Sequence, residues 1–181
     1  MRVPLFWRTN TLNYTVKRSN RRTVGLEITG DCEIIVRAPN RMSEKEIAEF
    51  VNKYQGWIDK KLPEAEKRAE KSREIDDNKE SLCRAAREVI PPLVERYSKT
   101  MGLKPTSVKI TSAKKRFGSC NSKNSLCFSW RLMAYPIEAV EYVVVHELAH
   151  IKHHNHSPAF YALIEKYMPD YKERQKMLKI N

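Results

Sequence analysis

Long apolar runs are missing from this chain of 181 residues. None approaches the roughly 18–20 consecutive apolar residues that a helix needs to cross a bilayer. With 31% of residues charged, no membrane span is expected. Residues 1–8 contain neither a sustained apolar segment nor a small-residue cleavage site, so no secretory signal is read there and the cytoplasm is the expected compartment. Close cysteine pairs are missing too. Cys120 and Cys127 are seven apart, and with Cys32 and Cys83 they match no short CxxC-type ligand spacing. They read as reduced thiols packed like small hydrophobes rather than as a disulfide framework. Glycine is scarce, at 5 residues, and no glycine-rich loop that could cradle a phosphate is present.

Acidic residues are absent from two stretches. Residues 96–137 carry nine Lys or Arg and no Asp or Glu, among them Lys114, Lys115, Arg116 and Arg131. Residues 1–26 carry Arg2, Arg8, Lys17, Arg18, Arg21 and Arg22, again without an acid. Against a net charge of +12, these basic stretches are expected to attract phosphates or nucleic acid, or simply to form a solvated surface.

What is present suggests an α+β protein. Residues 11–38 read as two or three short strands of a small antiparallel sheet, with a hairpin turn at Gly30-Asp31. Ser43 and Glu46 form a capping box. Behind it Ile47, Phe50, Val51, Tyr54, Trp57 and Ile58 recur at helical spacing, an apolar face expected to cover the sheet. Residues 63–80 are nearly free of apolar side chains and read as a charged helix or linker. The expected organisation is therefore an N-terminal β-rich subdomain with its covering helix (1–62), the charged segment (63–80) and a second domain (81–181).

In that second domain, Leu82 to Tyr97 form a helical stripe that Pro91-Pro92 is expected to kink or split, with Gly102 as the stop. Segments 107–111, 116–121 and 125–132 then read as a three-stranded antiparallel meander, with turns at 114–115 and 121–124. Pro136 suits the first turn of a further helix, on which Ile137, Val140, Val144, Leu148 and Ile151 share one face.

That last helix carries the chemistry. All five histidines of the chain fall between positions 146 and 156, beginning with His146-Glu147-Leu148-Ala149-His150. Histidines four apart on a helix point the same way and can share one metal ion. Glu147 projects near the middle of the apolar face, where an ionised carboxylate is costly unless a cation compensates. A metal ion beside it would do so, and Glu147 could then accept a proton from the water that the metal activates. The third ligand lies among His153, His154 and His156. His156 is favoured, because Asn155 suits a left-handed helix end and Ser157-Pro158 a new helix start, so the chain is expected to turn at 154–156 and fold His156 back. Three histidines leave a position open for water, which points to catalysis by one divalent ion, zinc first, rather than to a closed structural site.

Arg116-Phe117-Gly118-Ser119-Cys120, Trp130-Arg131-Leu132, the run from Tyr142 to His150, Asn155-His156-Ser157 and Phe160 resemble the YgjP-like metallopeptidases, relatives of SprT-like zinc proteases. Arg37-Ala38-Pro39 and Trp57-Ile58 extend the resemblance over nearly the whole chain, and Phe117 stands where that family usually has Trp. The resemblance implies a zincin-like domain with zinc on His146, His150 and His156, Glu147 as general base, and a peptide laid along a sheet edge, for which 125–132 is the expected segment. It also implies an alternative substrate, because the family carries a nucleotide-hydrolysing assignment in which a pyrimidine nucleoside triphosphate yields monophosphate and pyrophosphate. Lys114, Lys115, Arg116 and Arg131 would be the substrate-binding residues suited to phosphates. A second alternative is a basic nucleic-acid-binding module with a structural metal.

Overall fold

The computed structural model describes residues 7–9 and 12–179, and divides the chain into two compact units, residues 1–74 and 75–181. Arg2 and most of the opening stretch read for a secretory signal lie outside the described residues.

In the first unit, strands β1 (Trp7–Thr9), β2 (Leu12–Ser19), β3 (Gly25–Ile28) and β4 (Ile34–Pro39) form a four-stranded sheet in the order β1-β2-β4-β3. The β3–β4 hairpin turns at Gly30-Asp31 as expected, but the sheet is mixed rather than antiparallel: β2 and β4 run parallel, with Tyr14 beside Ile34 and Val16 beside Val36. Alternation assigns residues to faces and says nothing of strand direction, which a long-range pairing decides. Ser43 and Glu46 close the capping box of helix α1 (Glu44–Lys53). Ile47 and Val51 then pack with Tyr14, Ile34, Val36 and Ala38. The expected covering face is only partly realised. Tyr54 ends α1, and helix α2 (Gln55–Asp77) restarts at the next residue, so Ile58 enters the core while Tyr54 and Trp57 stay 40% and 41% exposed. The charged segment 63–80 lies within α2 and the start of α3, with Pro63 tolerated inside α2.

The second unit is built on helix α3 (Lys79–Met101), a sheet of β5 (Ser107–Thr111), β6 (Gly118–Cys120) and β7 (Ser125–Ser129), and helices α4 (Ile137–Ala149), α5 (Pro158–Tyr167) and α6 (Tyr171–Lys176). Pro91-Pro92 do not split α3. Both are exposed, and the buried stripe Ala86, Ile90, Val94 and Met101 anchors the helix on either side of them before Gly102 ends it at φ 67°. Burying that stripe outweighs the few kcal/mol that interior prolines cost, on the order of 3 each.

The expected meander is corrected in the same way as the first sheet. The strand order is β5-β7-β6, with β5 parallel and β6 antiparallel to β7. Strand β7 is therefore central, and β6 is the edge beside α4. The strand also ends earlier than expected, because Ser129 Oγ accepts from the Arg131 N–H and starts a 3-10 turn over Trp130–Ala134. At the β6–β7 turn, Asn121 Oδ1 accepts from the N–H groups of Lys123 and Ser125, and Asn124 takes a φ of 59°. Among the described residues, no helix is long and apolar enough to cross a membrane.

Candidate metal centre and its cleft

Helix α4 is apolar nearly all round, with Val140, Val143, Val144, Val145 and Leu148 all buried, so it sits in the middle of its unit. His146 and His150 leave its last turn on one side. The helix stops sooner than the sequence suggests: the N–H groups of Ile151 and Lys152 reach back only three residues, to Leu148 and Ala149, tightening the end at His150. Asn155 is not left-handed, since among the described non-glycine residues only Cys32 and Asn124 have positive φ. The chain reverses over 150–156, and Pro158 opens α5.

This reversal brings His156 back onto the helix. One ligand atom from each of His146, His150 and His156 lies within 4.8 Å of the others, and the Nε2 atoms of His146 and His156 are 3.2 Å apart. Nitrogens bound about 2.0–2.1 Å from a tetrahedral zinc stand roughly 3.3 Å from each other, so this pair is already near ligating separation. Phe160, fully buried on α5, forms the floor of the cluster. Its ring centroid lies 4.9, 4.5 and 4.9 Å from those of His146, His150 and His156.

The imidazoles are prepared as ligands. His150 Nδ1 lies 3.0 Å from the His153 carbonyl, which can accept its N–H and so leave Nε2 with a free lone pair. The hydroxyl of Tyr142, one turn before His146, stands 3.4 Å from His146 Nδ1. Burial, reinforced by the neighbouring His150 and His156, pushes the His146 pKa down to about 3, and burial likewise lowers that of His150. Neutral imidazole is the form that binds a metal, so the donor set fits a divalent ion such as zinc. His153 and His154 do not join the cluster.

Glu147 is 5% exposed, and burial pushes its carboxyl up to about 7, with Arg116 opposing the shift. With His146 it faces a cavity of about 470 Å³, whose other walls come from Phe117 and Gly118 next to and on β6, Tyr142 and Val143 on α4, and Gln175, Leu178 and Lys179 near the end of the described chain. Gly118, which the sequence offers only as part of the Arg116–Cys120 motif with no role attached, packs against this carboxylate. A Cβ at Gly118 would lie 2.5 Å from Glu147 Oε1 and 2.6 Å from its Cγ. Cys120, two residues along β6 and on the same face, feels Glu147 as well: burial first, then that carboxylate, raises its thiol pKa. No local pattern shows that these residues face Glu147, because the pairing of β6 with β7 is what brings them beside α4.

The four basic residues expected to bind substrate are not gathered here. Lys114 pairs with Asp76 at 3.4 Å. Arg131 is buried, bonds the same Asp76 and lies over the Trp130 ring, so its surroundings are those of a structural ion pair. Lys115 is exposed and absent from the cavity wall. Arg116 is also outside the wall but acts electrostatically on Glu147.

A family model described as YgjP-like, metallopeptidase domain, matches residues 22–82 and 69–181. No curated protein matches the chain. Among solved structures, the metallopeptidase zymogen of Pyrococcus abyssi abylysin is similar at 23% identity and TM-score 0.45, over 49% of this chain and 90% of that one. The metallopeptidase zymogen of Methanocaldococcus jannaschii jannalysin is similar at 20% and 0.44, over 48% and 90%.

Proposed function

The chain belongs to the YgjP-like metallopeptidase family, and so to the metal-dependent hydrolases; from that premise we propose that it cleaves peptide bonds, with one zinc ion held by His146, His150 and His156 and Glu147 as general base. The observation that carries the reading is the convergence of three imidazoles beside a buried carboxylate that faces a cavity. Zinc, when bound, supplies a Lewis acid that makes water acidic enough to attack near neutral pH. Glu147 takes the proton of the attacking water and returns it to the leaving nitrogen. A base with a pKa near the working pH can do both.

The edge of the sheet supports a peptide substrate. The Ser129 N–H donates to the Phe117 carbonyl and the Asn121 N–H to that of Ser125, so residues 117, 119 and 121 turn their main-chain groups toward β7. The N–H and C=O of Gly118 and Cys120 therefore point to the open side, where an extended peptide can add as a further strand. This replaces 125–132 as the docking segment, since β7 has partners on both sides. Phe117, Val143 and Leu178 offer apolar wall for a substrate side chain.

The nucleotide alternative is weaker on one specific point: Lys114 and Arg131, two of the four cations it invokes, already share Asp76. A parallel assay of the zinc-loaded chain against a mixed peptide library and the nucleoside triphosphates distinguishes the two. New peptide amino termini that disappear with a chelator are expected. Pyrophosphate release without peptide cleavage would overturn the proposal.

A further inference from the structure

The first unit holds a polar cavity of about 450 Å³, lined by Asn20, Arg21, Arg22, Pro39, Asn40 and Arg41. We propose that it binds the phosphate group of a small ligand, a function separate from the peptidase reading. Its volume falls in the range of small-molecule sites. Its position follows from the parallel pairing of β2 and β4, which sets the two loops after their carboxyl ends side by side, tied by the Asn40 N–H to the Ser19 carbonyl.

The loops are braced before any ligand arrives. Arg18 donates to the carbonyls of Pro39, Asn40 and Met42 and pairs with Glu44, turning those acceptors toward itself and away from an incoming anion. Arg21 is laid over Gly25 so closely that a Cβ there would stand 3.3 Å from its Nη2, and its Nε is buried without a hydrogen-bond partner. Arg21 Nη2 makes one long hydrogen bond, to Thr23 Oγ1 at 3.5 Å, and Arg18 is held by Glu44; among the described residues, Arg22 and Arg41 have neither an ion pair nor a hydrogen bond. No acid precedes Glu27 in the sequence, and among the described residues none lines the cavity. Three guanidinium groups and two amides around one concavity give the forked and single donors that a phosphate accepts. Among the described residues only Pro39 is apolar there and no aromatic ring lines the site, so the ligand is held by its anion and not by stacking of a base.

Calorimetric titration of the whole chain with inorganic phosphate, pyrophosphate and a single-stranded oligonucleotide, at about 0.15 M salt, tests the proposal. Saturable one-site binding of phosphate or pyrophosphate is expected, weakened at least about tenfold by Arg21→Ala with Arg41→Ala and unchanged by Arg87→Ala, an exposed arginine of α3. If the double variant loses its thermal transition, Arg22→Ala alone carries the same expectation. Binding must also survive a chelator and Glu147→Gln, which separates it from the histidine cluster. Absence of saturable binding, an equal loss in Arg87→Ala, loss with the chelator, or binding of the oligonucleotide alone would overturn it.

Discussion

Replacing Gly118 with alanine would set a methyl carbon 2.5 Å from Oε1, 2.6 Å from Cγ and 2.8 Å from Cδ of Glu147. Carbon rests against such atoms at about 3.5 Å, so one partner must move by roughly 1 Å. Gly118 is fixed by the β6–β7 ladder and Glu147 by the buried helix α4, which leaves the carboxylate as the softer partner. A misplacement of that size at a reacting group lowers turnover by about 100-fold, and overpacking a filled interior costs about 1–3 kcal/mol. The histidines are not crowded by this substitution, so zinc affinity should stay within a few-fold of the parent. The assay measures kcat/KM on a fluorogenic peptide, zinc stoichiometry, and the denaturant midpoint of the same preparation. A folded, zinc-loaded Gly118→Ala protein with parental kcat/KM would show that the Glu147 position does not matter to the reaction, and would refute this reasoning.

Other outcomes follow from the same geometry. His156→Ala should weaken zinc binding by orders of magnitude, whereas His153→Ala should leave it nearly unchanged, because His153 meets His150 through its backbone carbonyl; competition with a chromogenic chelator measures both. Asp76→Asn removes the carboxylate charge that Arg131 and Lys114 share and, with Asp76 itself 37% exposed, should cost about 1–3 kcal/mol through the buried guanidinium, read by urea unfolding. Burial raises the Glu141 carboxyl, but hydrogen bonds from Arg174 and Arg96 outweigh it and leave the pKa below the ordinary 4.5. Its stabilisation is therefore present above about pH 4.5 and lost as pH falls through the lowered value. Glu141→Gln should be less stable than the parent at pH 7 and converge with it in acid, measured by urea midpoints across that range.

The parts legible in the sequence were those set by neighbours along the chain. The i, i+4 spacing of His146 and His150, the Ser43–Glu46 capping box, the Gly30-Asp31 turn and the Gly102 stop all depend on residues within one or two turns. His156 was legible because Pro158 restarts a helix soon after the cluster, although the reversal begins at His150 rather than at Asn155. Strand direction was not legible, since β2 with β4 and β5 with β7 pair across intervening segments. That one unknown also hid the place of Gly118 and Cys120 beside Glu147, and misassigned the sheet edge to β7. Arg131 misled for a different reason: its partner Asp76 lies 55 positions away in sequence, so composition counted an unpaired cation where the fold holds an ion pair.

The central claim is that Glu147 handles the proton while the three histidines hold the metal. Paired measurement of zinc stoichiometry and peptide turnover in the parent and in Glu147→Gln tests it most directly. One zinc per chain is expected in both proteins, with a fall in turnover of about 10²–10⁴ in the variant. Parental turnover in a zinc-loaded Glu147→Gln protein would contradict it.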